Sequence, residues 1–227
     1  LSLTAGVYYL KVYYWKDGKK QWPPLNLYLQ GTAGAAAADS EMYVVPENGN
    51  EVLADGTPVT DVDGITFTYG NEAGEIKIQE VNYEYCDGTV MQYRVQGSNN
   101  PSPRSGNTPE TGSFLQFEVS ADGVLSVYAV VESATKKLYV VDGANNMLAY
   151  NMNGTDYPAG EIYSGDKTPA LIKLNVKAND VVYIYVDGSK IGFAGFGFAA
   201  GGAGIESVNA ESSNAAIYNL RGERVEE

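Results

Sequence analysis

Short runs of tyrosine and β-branched residues, each closed by a turn dipeptide, limit what this chain can become more than any other feature of it. Asp-Gly occurs seven times, at Asp17-Gly18, Asp55-Gly56, Asp63-Gly64, Asp87-Gly88, Asp122-Gly123, Asp142-Gly143 and Asp187-Gly188. Both residues of the pair tolerate positive φ, so it suits tight reversals between antiparallel strands. The predicted strands are Val7–Trp15, Ile65–Tyr69, Glu75–Tyr85, Val90–Val95, Phe114–Val119, Val124–Val131, Lys137–Val141, Leu171–Val176, Val181–Val186 and Ile191–Phe198. Helical periodicity is nearly absent. The expectation is an all-β protein, a two-sheet β-sandwich of jelly-roll-like form.

Alternation along these runs picks out the buried side. Leu115, Phe117 and Val119 share one side, as do Leu125, Val127, Ala129 and Val131; Ile172, Leu174 and Val176; and Val182, Ile184 and Val186. These residues are the predicted core. Gly192, Gly195 and Gly197 do not lead from a strand into a helix, as a phosphate loop requires, and are expected to admit aromatic packing in a last strand. The single cysteine, Cys86, cannot form an internal disulfide and is expected within a strand.

A chain of 227 residues is long enough for one large β domain or two small ones with a sizeable core. Residues 1–32 read as an N-terminal β-hairpin packed on the main body, 33–205 as the sandwich, and 206–227 as a linker and tail. Ala33–Ala38 is a weak linker or a single helical turn, and the composition beyond Ala199 turns to Gly, Ala, Ser and Asn. Gln96–Gly112, with three prolines, reads as a long surface connection that could rim a site. The chain opens at Leu1 without a basic-plus-apolar signal, as expected of a piece of a longer protein. No apolar run is long enough to span a bilayer as a helix.

The absence of histidine removes Ser-His-Asp and Cys-His nucleophile mechanisms and histidine-ligated metals. A net charge of −13 and the lack of a dense Lys/Arg cluster disfavour nucleic acid, whose binding depends on phosphate neutralisation. Carboxylate chemistry or pure binding remains. A glycosidase needs two carboxylates flanking a cleft, and Glu80 and Glu84 sit on a tyrosine-rich strand, but nothing in the sequence marks them as perturbed. No cofactor is expected. Oxygen ligands abound and leave a structural calcium open, yet no EF-hand-like spacing assigns one, so the metal stays unknown.

Exposed aromatic rings are the sharpest candidate for binding, because the C–H faces of sugars pack on flat π surfaces. Tyr9, Tyr13 and Trp15 share a row of the first run with Lys11, and Trp22 precedes Pro23-Pro24, which places it at a sheet edge. Rings filling a groove between sheet and loop would give the same pattern. Tyr128, Tyr183 and Tyr185 lie opposite the core residues of their strands and form a second expected row, able to line a concave face or to stabilise the sheet by cross-strand pairing. Asn99, Asn100, Asn145 and Asn146 are the hydrogen-bonding candidates, although asparagine in loops also serves turns.

Phe114–Tyr128, Lys137–Val141 and Val182–Phe193 resemble β-sandwich modules appended to secreted plant-polysaccharide-degrading enzymes of gut and rumen Bacteroidetes, over about residues 65–198. Ala216–Val225 resembles the opening of the C-terminal sorting segment such proteins carry. The resemblance implies a non-catalytic carbohydrate-binding module, secreted or held at the cell surface, that keeps a glycoside hydrolase on plant polysaccharide. Xylan leads, and other β-linked glycans follow. The matching stretches mark scaffold and carry over no binding residue. A structural or adhesive surface domain is the alternative, and a carboxylate-based hydrolase or lyase the second.

Overall fold

The computed structural model describes residues 41–72, 74–103, 106–132 and 134–201, with the strands Tyr8–Val12, Trp15–Lys16, Lys19–Lys20, Leu25–Leu29, Ile217–Tyr218 and Arg224–Val225. The chain divides into a unit of Ala37–Ala203 and a second made of Leu1–Ala36 with Gly204–Glu227. In the second, Tyr8–Val12 pairs with Leu25–Leu29, and Trp15–Lys16 with Lys19–Lys20. The expected strand Val7–Trp15 is therefore two strands in separate ladders. The shorter ladder pairs Trp15 with Lys20 and Lys16 with Lys19. The expected linker Ala33–Ala38 lies outside the described residues.

Two antiparallel sheets make up the larger unit. Six strands run edge to edge in the order Tyr163–Ser164, Lys137–Asp142, Val181–Asp187, Phe114–Val119, Ile65–Gly70 and Pro58–Val59. The other sheet runs Thr155–Tyr157, Tyr150–Met152, Lys167–Val176, Gly123–Val131, Gly192–Ala200, Val90–Gly97 and Ile76–Glu84, with Glu41–Val44 as its eighth strand beside Gly192–Ala200. Among the described residues no helix is long and apolar enough to cross a membrane.

The sheets face each other across one core, as a sandwich requires. All the predicted core residues are buried there. Phenylalanines bridge the layers: Phe67 and Phe117 from the six-stranded sheet meet Phe193 and Phe196 from the other, with Phe67–Phe193 centroids 4.5 Å apart and Phe117–Phe196 5.4 Å apart. Phe193 and Phe196 point the same way although they are three residues apart. A register shift between Tyr128 and Ala129 allows this, since Tyr128 pairs with Gly195 and Ala129 with Phe193, leaving Ala194 as the extra residue of a bulge.

Gly195 serves a different purpose from the one its sequence suggests. A Cβ there would lie 2.5 Å from the Tyr43 carbonyl oxygen, so this glycine admits the backbone of Glu41–Val44 rather than an aromatic ring. The hairpin of Ile76–Glu84 and Val90–Gly97 carries a register shift between Glu80 and Tyr83. Its base places Val95 in the main core, whereas its tip lays Tyr85 and Met91 on the opposite face of the sheet, against Tyr128, Leu171 and Ala194. Cys86 lies in the turn at that tip, exposed, and not in a strand, because Gly88 at φ +85° reverses the chain there. The expected loop Gln96–Gly112 begins with strand residues to Gly97 and contains a short ladder of Ser102–Pro103 with Pro109–Thr111.

Candidate functional site

The outer face of the six-stranded sheet gathers aromatic side chains that alternation turns away from the core. Phe114, Gln116 and Glu118 alternate with buried Leu115, Phe117 and Val119; Tyr139 alternates with Leu138 and Val140; Tyr183 and Tyr185 alternate with Val182, Ile184 and Val186. The registers set Gln116 opposite both Tyr183 and Thr68, and Tyr139 opposite Tyr185. Phe114 and Tyr183 lie 6.0 Å apart between ring centroids, inclined by 59°. Tyr139 and Tyr185 stack at 5.0 Å with 12° between their planes.

Three of these rings, Phe114, Tyr139 and Tyr183, are half-buried and reach the surface, while Tyr185 is 0% exposed. Phe114 and Tyr139 stand two strands apart, about 10 Å by inter-strand spacing. Phe114 lies over Gly70, where a Cβ would come within 2.3 Å of its ring, so the glycine makes the seat for it. Gln116 donates from Nε2 to Glu118 Oε1 at 3.0 Å, which ties together the two polar side chains that follow Phe114 along its strand. Burial, then the nearby Glu118 charge, push the Tyr183 phenol above its ordinary pKa, so it stays a neutral donor.

A loop buttresses one end of this face. The Tyr185 hydroxyl donates to the Asn107 carbonyl at 2.6 Å. The Asn107 amide donates to the Asn145 carbonyl at 3.2 Å, and Asn145 Oδ1 accepts from the Thr108 N–H at 2.9 Å and from its hydroxyl. Asp142 accepts from the Asn146 N–H and Nδ2, both at 2.8 Å, to close the adjoining turn.

The sequence candidates thus separate. Tyr183 is on this face and reaches the surface. Tyr185 is on it but serves as packing beneath Tyr139. Tyr128 belongs to the other sheet, so the expected row of three does not form; it is 4% exposed, meets Tyr85 edge-on at 5.0 Å, and donates to Asp87 at 3.0 Å. The row fails because Gly123–Val131, which carries Tyr128, lies in one layer of the sandwich and Val181–Asp187 in the other.

Asn99, Asn145 and Asn146 direct their amides to the fold. Asn99 Nδ2 bridges the carbonyls of Asn71 at 3.1 Å and Glu72 at 3.2 Å. These bonds meet the demand of turn backbone for partners. Asn100 is exposed, with its carbonyl against Gly112. Tyr9 and Trp15 fall in different ladders of the terminal unit. Tyr13 and Trp22 lie outside the described residues. Phe114, Tyr139 and Gln116 are not among the residues expected from the sequence, although the alternation that located Leu115 and Leu138 in the core also places them outside it.

Away from this face, an open groove of about 800 Å³ lies between the hairpin tip and Asp166–Pro169. Glu84, Cys86, Asn153, Asp166 and Lys167 line it, and the Asn153 amide is committed to the Pro169 carbonyl at 3.0 Å. Glu80 is exposed and accepts from Asn82 at 3.3 Å. Among the described residues no group of three or more Cys, Asp or Glu is placed to hold a metal ion.

No family model matches the chain, and no curated protein sequence matches it. Among solved structures, a chain from the Ruminococcus flavefaciens cellulosome, described in terms of glycan recognition, aligns at 12% identity and a TM-score of 0.32, covering 72% of this chain and 96% of its own. The CBM22-1–GH10 modules of the Clostridium thermocellum N-terminal endo-1,4-β-D-xylanase 10B, complexed with xylohexaose, align at 17% identity and a TM-score of 0.29, covering 59% of this chain and 26% of theirs. Scores this low assign neither fold nor ligand to this chain.

Proposed function

We propose that this chain is a non-catalytic carbohydrate-binding module that docks a plant polysaccharide, xylan first and other β-linked glycans next, on the outer face of its six-stranded sheet. The observation that carries the reading is the set of three surface-reaching rings, Phe114, Tyr139 and Tyr183, on one sheet face with Gln116 beside Tyr183 and Thr68 on the next strand out. Sugar C–H faces pack on such rings, and amide and hydroxyl groups beside them take the sugar hydroxyls. Held rigidly by sheet registers, the rings lose little freedom on binding. In the full protein the module would keep an appended glycoside hydrolase on its polymer outside the cell. Residues 33–205 form the binding domain in this reading, 1–32 an accessory hairpin, and 206–227 a linker and the start of a sorting segment.

One observation favours the alternative, a structural or adhesive domain: the Tyr139–Tyr185 stack and the Tyr185–Asn107 bond are packing in their own right. Native affinity electrophoresis of the chain in gels containing xylan, mixed-linkage glucan, xyloglucan, galactomannan or pectin separates the two. Retardation by a β-linked neutral polymer supports binding, and unretarded migration of the folded protein in every gel supports the structural role.

A further inference from the structure

The polar residues of the same face also bear on which glycans can lie there. Glu118 is exposed, on the same side of its strand as Gln116 and Phe114, with Thr66 and Val181 as its cross-strand neighbours. It makes no ion pair among the described residues, and it accepts from the Gln116 amide at 3.0 Å. At the other end of the face Asp187 is set opposite Lys137, so the charges there offset each other. Glu118 is thus the uncompensated charge beside the Phe114–Tyr183 pair.

We infer that Glu118 makes this face selective for neutral stretches of glycan, turning away chains that carry uronic acids. This rests on the binding role proposed above. A sugar stacked on Tyr183 would displace water from the ring and lower the local dielectric, so a sugar carboxylate brought to that position would be repelled by Glu118 more strongly than in open solvent. Burial first, and then the Glu118 charge, raise the Tyr183 pKa, which agrees with the carboxylate lying within electrostatic reach of that ring. Repulsion of this kind reaches about 10 Å at 0.1 M salt, which takes in the Tyr183 end of the face and leaves its far end, at Tyr139, outside.

The whole chain carries −13, so the test must separate a local charge from the global one. Glu118→Gln and Glu80→Gln change the net charge equally, but Glu80 lies on an edge strand of the other sheet. Retention of each variant and of the wild type is measured in gels of neutral arabinoxylan and of polygalacturonate at low ionic strength. The expected result is that Glu118→Gln lowers the neutral-to-acidic affinity ratio by about fivefold and Glu80→Gln leaves it unchanged. Glu118→Thr, a strand-compatible second variant, should give the same change. Equal effects of Glu118→Gln and Glu80→Gln, or no effect of either, overturn the inference while arabinoxylan retention keeps the binding role intact. Wild-type protein retained by neither polymer overturns the binding role itself.

Discussion

Tyr139 and Tyr185 stand on neighbouring strands as a stacked pair, 5.0 Å between centroids, yet one reaches solvent and the other is wholly enclosed. The buried partner ties its hydroxyl to the Asn107 carbonyl, so the pair joins the sheet face to the loop beside it. Tyr185→Ala should cost about 3 kcal/mol or more, as for other large buried aromatics. Tyr185→Phe should cost about 1 kcal/mol, the net worth of one hydrogen bond. Chemical denaturation reads both, and faster amide exchange confined to residues 106–112 in Tyr185→Phe would locate the loss. Equal stability of the Phe variant and wild type would mean that the loop is held elsewhere.

Gly195 is a second pressure point, because its missing Cβ is what lets Glu41–Val44 pair beside it. Gly195→Ala should destabilise the domain by about 1–3 kcal/mol, the usual cost of overpacking. Urea unfolding measures this. An unchanged midpoint would show that the strand can shift without loss.

Alkaline pH should unfold the domain in a defined window. Burial, the largest cause, pushes the Tyr69 and Tyr150 phenols up to about 12, and Tyr85 and Tyr185 higher still. In the unfolded chain these groups ionise near pH 10, about the ordinary tyrosine value. A folded pKa above the unfolded one contributes stability that is complete below about pH 10 and is lost as pH rises toward 12. Tyrosinate absorbance should therefore show an exposed set titrating first and a buried set ionising only as circular dichroism reports unfolding. A single smooth titration with the fold intact would contradict the burial assigned to these residues.

Acid should act through the turn at Asp142. Burial opposes ionisation there, but hydrogen bonds from the Asn146 side chain and from the Asn146 and Ala144 N–H groups outweigh it and hold the carboxyl below its usual range. A depressed folded pKa contributes stability above about pH 4 that is lost as pH falls through the folded value. Melting temperature followed from pH 6 downward should fall less steeply in Asp142→Asn than in wild type. Parallel curves would remove Asp142 from the acid response.

Much of the fold was legible because each strand declared its own buried side. Leu115, Phe117, Val127, Ile172 and Ile184 needed only a period of two to be placed, and the sandwich needed only several such strands. The order of strands in each sheet is a long-range property, and no local pattern carries it. That is why Tyr128 was grouped with Tyr183 and Tyr185 although it belongs to the opposite layer. The bulge at Ala194, which lets Phe193 and Phe196 both face inward, breaks the very period on which the reading depends. The asparagines leave both of their expected roles open for a different reason: a loop amide suits a sugar hydroxyl and an unpaired carbonyl equally well, and Asn99 and Asn145 bond carbonyls and N–H groups of their own chain.

The most direct test of glycan binding on the six-stranded face is calorimetric titration of a neutral xylo-oligosaccharide into wild-type protein and Tyr183→Ala, with melting curves recorded for both. Loss of one stacking ring should weaken binding about tenfold, or ~1.4 kcal/mol, with little change in melting because Tyr183 is only half-buried. Equal affinity of the two folded proteins, or no heat from the wild type with any neutral β-linked oligosaccharide, would contradict it.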